Sequence, residues 1–491
     1  MKLAKGAALD SVRGQLSVLS YNILAPLYVR PTDERTGEVQ AFAAFKWAEP
    51  AEKRLAWDVR WPKILSELVA SRADVICLQE IQFEKEECDG GSVFVLPPFL
   101  KIDGYEPRVP PQRELAAIAS RNLRVLRHEA AIGNAVLVRS ERLSILDAEG
   151  KDSNTKVQLL VCGREGGGLE ALGPTSVACV HLDAKDEEQR VKSIAKCIEQ
   201  ATAMGTRELI VCGDFNTECL IGSAVGAFVS DAGEPSDADM ARECASALRL
   251  EEGSAPSAEA LEAWCKLHSL AAWTCTAKRV ALARAPTGAT RAAYAHDQTE
   301  GVCQEWRLDH IFYTKRTLQL EGLWSTLEEE RASAGAGLPS LTCPSDHLPV
   351  AACFRPLTPP KLPAPEAAAL FERLAALDAK HAEAQAALTA AAESELRSLE
   401  ASEAGAAGAA GAADAPAAEA NGGGKGKKAK TAPPSPAMQA LLRGKREREK
   451  ALKRHQRSDR AAFLKALGEL ERDALEQTLP DLMQWAEAGA G

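Results

Sequence analysis

Leu209-Ile-Val-Cys-Gly-Asp-Phe-Asn-Thr217 is an apolar strand that stops at a glycine and presents Asp214 and Asn216 just past its end. Side chains alternate along a strand with period two, so a carboxylate and an amide two residues apart point the same way. Hard divalent cations take such oxygens as ligands. An isolated Asp-x-Asn also fits an ordinary turn, because both residue types stabilise turns through their own side chains. The choice depends on whether other strands deliver comparable groups to their ends.

Several do. Gln15 to Leu24 alternates as a strand and brings Asn22 near its end. Arg60 to Ala70 reads as a helix with Ile64, Leu65, Leu68 and Val69 on one face. Ala73-Asp-Val-Ile-Cys-Leu-Gln-Glu80 closes on a carboxylate, which is costly beside a buried strand unless a cation or hydrogen-bond donors receive it. Thr175 to Leu182 carries His181 at its exit, although a lone histidine on an apolar strand more often packs than reacts. Asp186 to Thr202 is an amphipathic helix that leads into the central strand, and strand, helix, strand implies a layered α/β arrangement. Gly133–Val138 and Val157–Val161 read as neighbouring antiparallel strands of the scaffold.

Beyond the central strand lie an acidic loop and two helical stretches, Met240 to Leu250 and Ala258 to His268. Trp273-Thr-Cys-Thr276 is expected to open a basic loop carrying Lys278, Arg279, Arg284 and Arg291, suited to a polyanion or to plain solvation. Glu305 to Tyr313 reads as one strand with Asp309 embedded among apolar neighbours, and Pro344 to Phe354 sets Asp346 and His347 ahead of a final strand. An acid hydrogen-bonded to one imidazole nitrogen fixes the tautomer and turns the other nitrogen to the chemistry, which makes His347 the functional candidate of that pair.

The chain has 491 residues and a net charge of −10, but the charge is uneven. Asn421 to Arg460 carries 13 Lys or Arg against 3 Asp or Glu, so this segment is +10 and the remainder −20. An acidic body argues against a broad phosphate-binding face, while metal ions in a cleft invert local charge. The 13 cysteines contain no Cys-x-x-Cys pair, and Cys77, Cys162, Cys179 and Cys212 sit within apolar strands as small hydrophobes. The N-terminal residues lack an apolar leader core, and no run approaches the length of a membrane span. The expectation is a reduced, intracellular, soluble protein without membrane association, cytoplasmic or, through its basic segment, nuclear.

In order, the strand ends supply Asn22, Glu80, His181, Asp214 with Asn216, Asp309, and Asp346 with His347. That series resembles the endonuclease/exonuclease/phosphatase superfamily and, within it, the carbon-catabolite-repressor-4-like group of deadenylases, nocturnins and Angel proteins. Ser20-Tyr-Asn-Ile-Leu24, Arg60 and Leu68 ahead of Ala73–Glu80, Leu308-Asp-His-Ile-Phe-Tyr313, Leu338-Pro-Ser340 and Pro344-Ser-Asp-His-Leu-Pro349 carry the resemblance, which covers Leu16 to Phe354. It implies an α/β fold, a four-layer sandwich of two packed mixed β-sheets flanked by helices, with the active site at one edge. It implies that Glu80 holds the principal Mg²⁺, or Mn²⁺ in its place, with Asp346 helping. Asn22 and Asn216 would bind metal or phosphate, and Asp214 would orient or deprotonate water. Asp309 would pair with His347, and His181 would hydrogen-bond a phosphoryl oxygen. Ser340 stands where deadenylases proper often have asparagine and His310 where the family often has tyrosine, so base preference stays open.

The expected layout is a catalytic domain over 1–357, a proline-rich linker and Ala/Leu/Glu helix over 358–402, a low-complexity flexible linker over 403–437, and a basic then amphipathic helical segment over 438–491. The two tail helices fit a hairpin, a protein-binding coiled coil or solvated spacers, and their short leucine stripes favour the last. The reading that follows is a Mg²⁺-dependent phosphodiesterase acting on RNA with an accessible 3′ end, most simply a deadenylase-like 3′-exoribonuclease. The alternatives are a metal-dependent phosphatase on a nucleotide or terminal phosphate, and a catalytically silent RNA-binding or scaffold protein.

Overall fold

A computed structural model describes residues 2–3, 8–9, 14–29, 45, 47–48, 50–88, 91–147, 152–228, 234–251, 253–277, 280, 282–294, 303–324, 337–358, 361–410 and 435–478. The chain divides into two compact units, Met1–Pro359 and Pro360–Gly491.

The first unit begins with β1 (Lys2–Leu3), β2 (Leu16–Asn22), α1 (Pro26–Val29), α2 (Ala51–Arg54), α3 (Trp57–Ser71), β3 (Val75–Cys88), β4 (Gly91–Val95), β5 (Tyr105–Arg108), α4 (Gln112–Leu126) and β6 (Ala131–Arg139). It continues with β7 (Leu143–Asp147), β8 (Lys156–Gly163), β9 (Thr175–His181), α5 (Glu187–Ala203), β10 (Leu209–Asp214), α6 (Asp237–Ala247) and α7 (Ala258–Ala277). The last strands are β11 (Leu282–Arg284), β12 (Arg291–Tyr294), β13 (Cys303–Trp306), β14 (Asp309–Thr314), β15 (Leu318–Trp324) and β16 (Val350–Pro356). One sheet runs β1-β15-β16-β2-β3-β6-β5, with β4 on the far end of β3, and the other runs β11-β14-β10-β9-β8-β7. Both are mixed: β2 and β3 pair parallel in the first, β9 and β10 in the second, between antiparallel neighbours.

The apolar residues of these strands divide by parity. Leu16, Val18, Val75, Cys77, Val136 and Val138 face Val157, Leu159, Val177, Cys179, Ile210 and Cys212 in a single buried layer between the sheets. The intervening Leu19, Tyr21, Ile76, Leu78 and Leu137 point outward to meet Ile64 and Leu68 of α3 and Leu115 and Ala119 of α4. On the other outer face Ala178, Val180, Leu209 and Val211 meet Val191, Ile194, Cys197 and Ile198 of α5. Burial on both faces is why these strands read as continuous apolar runs. Layers of helix, sheet, sheet and helix result.

The sequence expectation fails in three places. Gly133–Val138 and Val157–Val161 are not hydrogen-bonded neighbours: β6 pairs with β3 and β5, and β8 with β7 and β9. Their valines and leucines meet across the two sheets, and a contact between facing sheets leaves the same apolar pattern as a contact within one. Glu305–Tyr313 is two strands, because the chain leaves the β12–β13 ribbon at Arg307 and joins the six-stranded sheet at Asp309. Trp273–Thr276 is the last turn of α7 rather than the start of a loop, and Arg284 and Arg291 lie on strands. Lys278 and Arg279 fall outside the described residues.

Gly213 has φ +148°, and a Cβ there would overlap the Val180 carbonyl oxygen of the neighbouring strand. Gly213→Ala is expected to destabilise the protein by roughly 3 kcal/mol, combining backbone strain with overpacking. A urea midpoint equal to that of the wild type would show that the strand end does not need this close approach.

The second unit contains α8 (Ala364–Ala410), α9 (Pro436–Lys465) and α10 (Glu469–Thr478). Hydrogen bonds join Ser435 to Glu403, Arg448 to Glu395, Arg460 to Asp378 and Arg373 to Glu471, so rising numbers on one side meet falling numbers on the other. The helices therefore form an antiparallel hairpin rather than solvated spacers. Leu370, Leu374, Leu467 and Leu475 are buried together at the end away from the connection between the two long helices. Exposed ion pairs add little, whereas a buried leucine contributes about 2 kcal/mol, so the leucine cluster holds the unit and the ion pairs set its register. The flexible linker expected over 403–437 falls mostly on residues 411–434, outside those described.

Candidate active site

Four of the eight candidate residues reach one edge of the sandwich by parity alone. Asn22 continues the inward series of Leu16 and Val18, His181 that of Val177 and Cys179, and Asp214 that of Ile210 and Cys212. Asp309 begins the antiparallel β14, directly opposite Asp214 in the ladder, and shares the inward face of Ile311 and Tyr313. Glu80 does not follow parity, which would place Gln79 inward. Gln79 is buried beneath the site, donating to Ser20 Oγ (3.1 Å) and Cys179 Sγ (3.1 Å). An irregularity between Leu78 and Ile81 and a left-handed backbone at Glu80 (φ 58°) turn its side chain into the cluster. A non-glycine residue in that region is strained, and such strain concentrates at functional sites.

Asn22 Nδ2 donates to Glu80 Oε1 (2.9 Å) and Asp214 Oδ2 (3.0 Å), joining the two carboxylates. Glu80 Oε2 accepts from the Ala25 N–H (3.2 Å), and Asp214 Oδ1 from the Asn216 N–H (2.8 Å). His181 Nε2 lies 3.8 Å from Glu80 Oε1 and 3.7 Å from Asp214 Oδ2. On the other side of Asp214, His347 Nε2 is 3.6 Å from Oδ2, while His347 Nδ1 is 2.7 Å from Asp309 Oδ2. One ligand atom each from Glu80, His181 and Asp214 lie within 4.8 Å of one another, and so do those of Asp214, Asp309 and His347. Asp346 stands beside Arg291 (Oδ2 to Nη2 3.4 Å) and belongs to neither group. The Asn216 side chain donates to the Leu182 carbonyl (2.9 Å) and so ties the ends of β9 and β10 together.

Burial raises the Glu80 carboxyl above its ordinary range; the charge of His181 counters this and that of Asp346 adds to it. Burial acts in the same direction on Asp214, but His347, His181 and the hydrogen bonds from Asn216 and Asn22 outweigh it and hold that carboxyl low. Burial also raises Asp309, against the pull of His347. His347 loses by burial and gains more from Asp309, Asp214 and Asp346, which raise it to about 10. His310 is different. Burial lowers it to about 3, its ring packs edge-on against Phe215, and its Nε2–H donates to the Thr217 carbonyl (2.9 Å), so it is a neutral structural residue.

These donors fit a hard divalent cation. Oxygens of Glu80 and Asp214 lie with His181 Nε2 within 4.8 Å of one another, and the group that bridges the two carboxylates is the neutral amide of Asn22. A cation is the group that offsets the cost of burying such charge.

Three supporting residues are less visible in the sequence. Arg60 is fully buried and donates to the carbonyls of Ile23 (3.2 Å), Leu24 (2.6 Å) and Pro344 (3.0 Å), so it clamps the segment after Asn22 to the one before Asp346. Ser345 Oγ donates to the Asn22 carbonyl (2.6 Å) and reinforces the same junction. Thr290 Oγ1 accepts from the N–H groups of Leu308 (3.1 Å) and Asp309 (3.2 Å), fixing the entry of β14. Arg60 and Ser345 sit inside recognisable motifs; Thr290 follows no pattern that distinguishes it from a loop threonine.

The sequence pattern of the Endonuclease/Exonuclease/phosphatase family matches residues 19–347. The chain belongs to this family. Its members are metal-dependent hydrolases, nucleases and phosphatases, and the carboxylate and histidine cluster is the part of this chain suited to a divalent ion. Among curated proteins, Carbon catabolite repressor protein 4 homolog 1 of Arabidopsis thaliana is 24% identical over 371 residues, covering 70% of this chain and 58% of that protein. Its homolog 2 is 23% identical over 377 residues with the same coverage. The chain thus spans 58% of the length of these relatives. Among solved structures it is similar to ANGEL2, described as a 2′,3′-cyclic phosphatase (18% identity, 70% of this chain, 95% of that one, TM-score 0.41). It is also similar to the human Nocturnin catalytic domain (19% identity, 70% and 96%, TM-score 0.35). The family agrees with the resemblance carried by the motifs, and both curated relatives bear the carbon-catabolite-repressor-4 name. Among the described residues no helix is long and apolar enough to cross a membrane.

Proposed function

We propose that this protein is a Mg²⁺-dependent phosphodiesterase that shortens RNA from an accessible 3′ end. The observation that carries the proposal is Asp214, whose Oδ2 lies between the Glu80–Asn22–His181 group on one side and the His347–Asp309 pair on the other. Glu80, helped by Asn22 and Asp346, would hold the ion, which when bound supplies neutralisation of the phosphodiester and a more acidic water. Asp214, held ionised, orients the attacking water and would accept its proton, while His347, raised to about 10 and so protonated near neutral pH, stands beside that carboxylate. Asp309 fixes the His347 ring through Nδ1 and leaves Nε2 towards Asp214. His181 Nε2 would meet a phosphoryl oxygen as negative charge develops there, and Asn216, whose Nδ2 holds the Leu182 carbonyl, would support that strand end.

Two cavities meet at Ala184 and favour a polymer over a monoester. One, about 440 Å³, is lined by Tyr28, Arg121, Asn154 and His181. The other, about 370 Å³, is lined by Asn216, Arg291 and Trp306. A diester has a nucleotide on each side of the cleaved bond, whereas a terminal phosphate needs room on one side only.

The test is side-by-side digestion of end-labelled poly(A), mixed-sequence RNA, DNA and small nucleotides with Mg²⁺, Mn²⁺ or chelator. Chelator-sensitive shortening of RNA from the 3′ end is the expected result. Turnover of nucleotides or terminal phosphates alone would replace this reading with the phosphatase one, and no turnover of any substrate would leave an RNA-binding or scaffold protein.

A further inference from the structure

The second unit divides its cations into two sets. Arg448 and Arg460 of α9 point into the hairpin seam, where they meet Glu395 and Asp378 of α8. Arg443, Arg446, Lys450, Lys453 and Arg454 are all exposed. Among the described residues Lys450 meets only the equally exposed Glu447, and the other four have no acidic partner. At about 100° per residue these five positions fall within an arc of roughly 100° on the side away from the seam, along about 17 Å of helix. Two carboxylates of α8, Glu395 and Asp378, thus meet cations on one face of α9, and the exposed face carries these five cations with Glu447 at its edge.

We infer that this stripe of α9 is a binding track for the phosphate backbone of single-stranded RNA, separate from the catalytic cleft. The inference rests on the RNA reading above for its choice of polyanion and on the stripe itself for the site. A row of point charges without a planar or apolar pocket suits repeated phosphates, which need neutralisation and no base readout. A membrane surface would require an apolar face beside the cations. One exposed leucine, Leu442, adjoins the stripe and makes no such face, and Phe463 and Leu464 further along the helix pack with Leu370 and Leu374. For a processive or repeatedly rebinding exonuclease, a second track on the same chain raises the local concentration of the strand without touching the chemistry.

The test compares three full-length proteins binding a long single-stranded RNA in chelator, where no cleavage occurs. These are wild type, a stripe variant (Arg443→Gln, Arg446→Gln, Lys450→Gln, Lys453→Gln, Arg454→Gln), and a variant losing five exposed cations of the first unit (Lys101→Gln, Arg113→Gln, Arg124→Gln, Lys192→Gln, Lys266→Gln). Each neutralised phosphate contributes about −0.7 to the slope of log affinity against log salt, so the stripe variant is expected to flatten that slope by about 3. The control variant should keep the wild-type slope, and circular dichroism should show the helices of both retained. With metal restored, a substrate short enough to occupy only the cleft should be cleaved equally by all three. An unchanged slope in the stripe variant, or an equal flattening in the control, overturns the inference. Loss of binding to anionic lipid vesicles with RNA binding intact overturns it too and assigns the stripe to a membrane surface. Should no substrate be hydrolysed by the wild type while the stripe variant still flattens the RNA slope, the RNA track stands and the catalytic proposal falls.

Discussion

Glu80→Gln and Asp214→Asn are each expected to remove nearly all metal-dependent hydrolysis, at least about 10²-fold in kcat, while the protein stays folded. Both changes replace a carboxylate by an amide of the same shape. The amide oxygen can still accept from Asn22 Nδ2, but the amide NH2 then faces the Ala25 N–H in Glu80→Gln or the Asn216 N–H in Asp214→Asn, so each variant also gives up one local hydrogen bond, too little to unfold the protein. What disappears is charge. Glu80 is raised by burial and so already holds its charge at a disadvantage, which a bound cation would relieve. Its loss should show first as weaker metal binding in a titration followed by calorimetry. Asp214 is held low by His347 and His181, and its loss should fall mainly on kcat, because the oxygen facing both groups is the one proposed to orient water. Wild-type turnover in either purified variant would remove that residue from the site.

How far the sequence discloses this arrangement depends on what places each residue. Asn22, His181, Asp214 and Asp309 are legible because one rule serves all four: strands buried on both faces, with the last inward position polar. Asn22 and Asp214 lie at the ends of their strands and Asp309 at the start of an antiparallel one, so the same edge receives them all. Glu80 is legible only through the family motif, since period-two alternation selects Gln79 and a left-handed residue reverses the choice. The meeting of Arg291 with Asp346, and of Arg60 with three carbonyls, depends on loops far apart in the chain and has no local signal. The β6 and β8 strands show the same limit at the level of the fold, because alternation states which face is buried but not whether the neighbour lies in the same sheet or the opposite one. In the tail, register is set by ion pairs between residues 53 to 98 positions apart, such as Arg448 with Glu395 and Arg373 with Glu471, and a leucine count within one helix does not reveal them.

The His347→Ala and Asp309→Asn substitutions should be strongly non-additive. The Nδ1 of His347 lies 2.7 Å from Asp309 Oδ2, and Asp309 is fully buried, so its carboxylate can reach the chemistry only through the imidazole. If its role is to fix the tautomer and orientation of that ring, its removal has nothing left to act on once the ring is gone. Asp309→Asn alone is expected to lower kcat by about 10²-fold or more, because an amide can present its N–H to Nδ1 and favour the wrong tautomer. His347→Ala should lose at least as much, and the double variant should lose no more than the worse of the two. A second readout separates this positioning role from general damage to the core. Asp309 is among the carboxylates that raise His347 to about 10, so in the metal-free protein the imidazole should titrate at lower pH in Asp309→Asn than in wild type. The sign for stability follows: a folded value above the ordinary 6.5 contributes stability that is complete below 6.5 and is lost as the pH rises through about 10. The metal-free Asp309→Asn protein should therefore lose less stability than wild type between neutral and alkaline pH. Independent, multiplying losses in kcat together with an unmoved His347 titration would break the dyad and leave Asp309 as a core residue that happens to lie beside the histidine.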